Sequence, residues 1–125
     1  MEIGDILLIP NPRPDKKHYH VIVADVLENN MYVMVFISSI KDGREYDDSC
    51  ILDSGDAPFI ARLSYVVYSK LYFADKDDID NRLSIGSIRY CGKISDDILR
   101  KVNDGAFKSE WIKPFHTKYF KKDRR

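Results

Sequence analysis

Two imidazoles at strand spacing, His18 and His20, are the residues of this chain best suited to move protons. If residues 18–23 are extended, side chains two apart leave the same face of the strand, so both rings would address one site. An imidazole titrates near neutrality. One neutral and one charged ring could therefore take a proton from a hydroxyl and return one to a leaving oxygen, the two transfers that phosphodiester cleavage needs. Ser38 and Ser39 close the next apolar run, where a hydroxyl can hold a phosphate oxygen. Alternation along the strand lets only one of the two share the histidines' face. Lys41, Arg44 and Arg62 are the cations placed to stabilise a phosphate in transit. Tyr65, Tyr68, Tyr72 and Tyr90 suit two uses, stacking of unpaired bases or cross-strand packing, and residue type leaves both open. The plainer alternatives are solvated histidines, serines that cap turns and cations that only solvate a surface. His18, His20 and one of Ser38 and Ser39 are thus the candidate catalytic groups, and the other serine, Lys41, Arg62, Ser64 and Tyr65 the candidate substrate contacts. No phosphate-binding glycine loop, dinucleotide fingerprint, GxSxG elbow or HExxH zinc helix occurs, so neither a cofactor nor a metal site is expected.

The elements that must position these groups are mostly strands. Ile6-Leu7-Leu8-Ile9 is a short apolar run entered through Gly4-Asp5 and closed by Pro10, as a buried strand should be. Pro10, Pro12 and Pro14 then force a loop. Residues 18–26 and 31–37 resume β-branched character on either side of a tight turn, and Val and Ile fit pleated sheets better than helices. The stretch 41–56 reads as a connecting loop with one brief strand at Cys50-Ile51-Leu52, its turns marked by Gly43 and Gly55. Residues 64–73 form the strongest strand candidate, and Ile88 to Cys91 a shorter one. Asp75 to Leu83 predicts a short helix with acids in its first turn. A second is predicted from Ser95, a capping residue, through the stripe Ile98, Leu99 and Val102, and Gly105 is expected to end it. Phe107, Trp111 and Phe115 are expected to fold back onto the body. About five strands followed by helices fit a mainly β fold with α additions, a small curled barrel, better than a parallel α/β sheet.

A length of 125 residues accommodates one core, so one domain is expected over residues 1–115, followed by a basic tail at 116–125. The net charge is zero, and total charge therefore does not advertise a nucleic-acid partner. The distribution is uneven: residues 108–125 carry seven Lys/Arg against two acids, and residues 41–56 six acids against two bases. A phosphate backbone could bind the first segment and would be repelled by the second unless that segment folds away. Cys50 and Cys91 are the only cysteines, with no metal-type spacing. Nothing before Gly4 looks like a signal peptide and no apolar run approaches ~18 residues. A cytoplasmic protein with reduced thiols and no membrane association is the expectation.

The order of these pieces resembles the MazF/PemK-like family: Gly4-Asp5-Ile6-Leu7 at the start, an irregular loop, His18 to Val23, then an apolar strand ending in Ser38-Ser39. Residues 55–60 (GDAPFI) and 64–68 (SYVVY) resemble stretches of a divergent branch, and the likeness covers roughly residues 4–73. The resemblance implies an SH3-like β-barrel with a C-terminal helix, often a homodimer, acting as the toxin of a toxin-antitoxin pair. Its implied activity is metal-independent endoribonuclease cleavage of single-stranded RNA by the substrate's own 2′-hydroxyl, restrained by a cognate antitoxin protein. Ser38 matches the family's strand-end Thr/Ser, which contacts the scissile phosphate. The family's catalytic Arg, in an Arg-Pro dipeptide, falls at Tyr19, with His20 in place of the Pro. Tyr19 carries no permanent cation, so the expected replacement is His20 with His18 as acid and base. The alternative is a non-catalytic SH3-like barrel that binds nucleic acid or a peptide partner.

Overall fold

Runs of β-branched and aromatic residues build six strands in the computed structural model, which describes residues 1–10 and 16–122. They are β1 (Asp5–Pro10), β2 (Lys17–Val26), β3 (Met31–Ser39), β4 (Ile51–Leu52), β5 (Ser64–Asp75) and β6 (Arg89–Lys93). All pair antiparallel in the order β4-β5-β3-β2-β1-β6, giving a mainly β fold: a curled half-barrel sheet with two helices. The helices are α1 (Lys76–Ser84) and, in the C-terminal part, α2 (Asp96–Lys108). Most of the proline loop, residues 11–15, lies outside the described residues, as do residues 123–125 of the tail.

Side-chain alternation sends the central strands' residues into two apolar cores. Val21, Val23, Val33, Val35 and Ile37 meet Val102 and Ala106 of α2 on one face. Leu7, Ile9, Ile22, Tyr32 and Met34 meet Ile79 of α1 on the other. Because both faces are covered, β2 and β3 read as nearly continuous apolar runs. Their register shifts between Ile22 and Ala24, and that of β3 on β5 between Met34 and Phe36. Such irregularities bend and twist a sheet locally. Both helix starts follow from their caps: Asp75 accepts from the N–H groups of Asp77 and Asp78 at 2.9 and 3.1 Å, and Ser95 accepts from Ile98 N–H at 3.3 Å.

Two expectations are corrected. Gly105 does not stop α2 but sits inside it, because the helix presses on the sheet there. A Cβ at residue 105 would lie 2.4 Å from Tyr68 Oη and 2.8 Å from Cys50 Cβ, so tertiary contact overrides glycine's poor helix propensity. Tyr68, fully buried, donates to Val102 O at 2.6 Å across the same seam. Phe107, Trp111 and Phe115 remain substantially exposed, and Ile112, His116 and Phe120 are buried instead. Residues 114–119 form a 3-10 turn, which presents Phe120 to Tyr68 with ring centroids 5.7 Å apart. His116 and Phe120, within the basic segment 116–125, thus pack against the body. Both cysteines are free thiols, Cys50 buried and Cys91 partly so. Among the described residues, no helix is long and apolar enough to cross a membrane.

Candidate phosphate pocket at the strand rim

The pairing of β2 with β3 sets Tyr19 opposite Ile37 and His20 opposite Phe36. Continued by one residue, that register places His18 across from Ser38, and Ser38 is in turn paired with Tyr65 of β5. His18 and His20 leave the same face, as the spacing predicts, and both rings contact Phe36, at centroid separations of 5.1 and 5.7 Å. Their surroundings nevertheless differ. β2 begins and β3 ends at this rim of the sheet, and there the chain opens into a cavity of about 290 Å³. Its walls carry Lys17, His18, Ser38, Ser39, Lys41, Arg62 and Ser64, and its floor includes Phe59 and Ile60. Both serines, paired with Tyr65 and Ser64 of β5, line it.

Among the described residues, no acid lines this cavity, and neither Lys41 nor Arg62 has a carboxylate within ion-pair distance. The acids of residues 41–56 are partly engaged elsewhere. Asp47 is buried and accepts from Ser49 N–H at 3.1 Å, Ser49 Oγ–H at 2.6 Å and Ser109 Oγ–H at 2.5 Å. Asp56 accepts from Asp53 N–H at 2.8 Å and lies 3.8 Å from Lys101 Nζ. A hollow walled by three cations, an imidazole and hydroxyls is suited to an anion. Partial burial and the neighbouring Lys16 and Lys41 hold the His18 imidazole below its usual range, which favours its neutral, proton-accepting form. Ser64 is buried and donates to Arg62 O at 2.8 Å. Its hydroxyl proton thus tethers the backbone that carries the arginine.

His20 departs from the expectation that it enters the same cavity. It is buried between Phe36 and Tyr72 beside a separate cavity of about 300 Å³ that also includes Ile9, Pro10 and Lys70. Burial, the largest cause, pushes its pKa down to about 4, so it carries no acidic proton near neutrality. Its Nδ1–H donates to His18 O at 2.9 Å. His20 therefore holds the backbone of residue 18 rather than facing Ser38. Tyr65 lies next door, in a smaller hollow of about 80 Å³ shared with Arg44, Glu45 and Tyr46. Tyr19 leaves the other face of β2, where its ring packs on Phe59 at 4.3 Å, and it too lines the rim cavity. Three residues were not anticipated: Lys17 and Phe59 in the cavity wall, and Tyr46 beside Tyr65. Phe59 carried a signal in the apolar anchor of GDAPFI, whereas Lys17 and Tyr46 lay in stretches that read only as loop.

Among the described residues, no group of three or more His, Cys, Asp or Glu side chains could hold a metal ion. No protein-family model matches the chain, and a search of curated proteins returned no match.

Proposed function

We propose that this curled sheet is a divergent SH3-like barrel of the MazF/PemK-like type, and that the protein is the toxin of a toxin-antitoxin pair. In this reading it acts in the cytoplasm as an endoribonuclease on single-stranded RNA, needs no metal, is restrained by an antitoxin protein and works as a homodimer. The observation that carries the proposal is the rim cavity, lined by no acid among the described residues, in which the His18 imidazole stands beside Ser38 and the cations Lys41 and Arg62.

The chemistry follows from those groups. His18 removes the proton from a ribose 2′-hydroxyl, whose oxygen attacks the adjacent phosphorus. Lys41 and Arg62 offset the charge that builds on the non-bridging oxygens, and the Ser38 hydroxyl donates to one of them. The bond to the next nucleotide's 5′-oxygen breaks, and that oxygen takes a proton from water at the cavity mouth. The products are a 2′,3′-cyclic phosphate and a 5′-hydroxyl. His20 takes no part in proton transfer here; it positions residue 18.

Incubation of the purified protein with mixed-sequence RNA in EDTA, with analysis of the product ends, tests this directly. Cleavage to cyclic phosphate and 5′-hydroxyl ends, lost in His18→Gln and reduced in Ser38→Ala, is the expected result. Cleavage undiminished in both variants would remove the assignment. RNA binding with no cleavage would favour the non-catalytic barrel instead.

A further inference from the structure

We infer that the hollow formed by Tyr46 and Tyr65 receives a nucleobase of the same strand whose phosphate occupies the cavity beside His18, an assignment that rests on the phosphate reading of that cavity. The two hollows share Ser38, Ser39 and Lys41 as a common wall. A group held at that wall therefore has its neighbour within reach of the tyrosines. Strand pairing fixes Tyr65 directly opposite Ser38, and the rings of Tyr46 and Tyr65 lie 5.4 Å apart at 40°.

The tyrosines of this chain divide by position. Tyr68 is fully buried in one core and Tyr72 packs against the other. Tyr46 and Tyr65 belong to neither core and remain half-buried at the rim. The rings are thus ordered against each other and still accessible. Every base offers a π-face, so a tyrosine pair beside cations binds unpaired bases with little regard to sequence. Lys41 and Arg44 also line the hollow, against the single acid Glu45 among the described residues, and leave it a net positive charge for the strand. The hollow is small, about 80 Å³, so a base lies against the rings rather than wholly within it.

Binding of a single-stranded oligonucleotide made uncleavable by 2′-deoxy substitution tests the assignment. Tyr46→Leu and Tyr65→Leu should each weaken Kd by roughly tenfold, and Tyr65→Phe, which keeps the ring, should restore it. An abasic substitution at the contacted position should weaken wild-type binding by a similar factor and weaken the Leu variants little further, since both changes remove one interaction. A merely structural role for the tyrosines would leave the abasic penalty unchanged. If Lys41→Ala weakens binding while both Leu variants bind like wild type, this inference fails and the phosphate reading stands. If the wild-type protein binds no oligonucleotide, both fail.

Discussion

The rim around His18 and the seam between α2 and β5 are both polar, yet they dispose of their polar groups in opposite ways. In the seam, the groups satisfy one another. Tyr68 donates to Val102 O, Asp47 accepts from Ser49 and Ser109, and Asn103 donates to Leu99 O while accepting from Lys121 N–H. At the rim, cations and hydroxyls from β2, β3 and the loop before β5 converge on a cavity with no acid among the described residues of its wall. Polar groups bonded within the fold serve stability, because leaving one unsatisfied costs about 1–3 kcal/mol. The rim groups gather around an open cavity as well, which is why the rim is the place to look for function. His18 and His20 cross this divide within one strand: the first stands at the rim, and the second donates into the backbone and is sealed by Phe36 and Tyr72.

That contrast breaks most sharply at His18. If the rim is the reactive region, His18→Gln should lower RNA cleavage by ~100-fold or more and leave the urea unfolding midpoint near that of wild type. A large loss of stability with unchanged cleavage would reverse the assignment of the two regions. His20 should behave in the opposite sense. Burial holds its folded-state pKa at about 4, against 6.5 ordinarily, so between those values the unfolded chain binds the extra proton. Its contribution is therefore complete above about pH 6.5 and falls by about 3 kcal/mol as the pH is lowered to 4. Urea unfolding at several pH values should show that slope, steepened by His18, whose pKa is lowered in the same direction. His20→Phe should flatten much of it. A wild-type curve flat from pH 7 to 4 would mean that His20 is not buried as described.

The seam supplies smaller effects. Gly105→Ala should destabilise by more than about 2 kcal/mol, since overpacking against Tyr68 and Cys50 outweighs the roughly 1 kcal/mol that alanine gains inside a helix. Equilibrium denaturation measures it, and a stabilised variant would show that α2 stands farther from the sheet. Tyr68→Phe should cost about 1 kcal/mol with cleavage unaffected.

The sequence exposed what is local. Apolar runs rich in Val, Ile and Tyr marked β1, β2, β3 and β5, and Ser95 and the acids after Asp75 marked the helix starts, because strand propensity and capping act over a few residues. Gly105 read as a stop because its reason, the approach of Tyr68 and Cys50, comes from residues 37 and 55 positions earlier in the chain. Phe107, Trp111 and Phe115 looked like core by residue type, but the course of α2 and the following 3-10 turn gives the inward positions to Ile112, His116 and Phe120. In the site, spacing alone put the two histidines on one face. Their separation depends on Phe36 and Tyr72, contributed by β3 and β5, and so does not appear in any short stretch of β2. The arrival of Phe59 and Arg62 beside His18 is likewise a product of the long-range pairing of β3 with β5.

The division between the two histidines is most directly measured by NMR of the imidazole protons during titration with an uncleavable single-stranded RNA analogue near pH 7. The resonances of His18 should shift on binding and its pKa should rise as a phosphate settles beside it, while those of His20 stay in place with no protonation above about pH 5. Movement of His20 with His18 unperturbed would contradict the account.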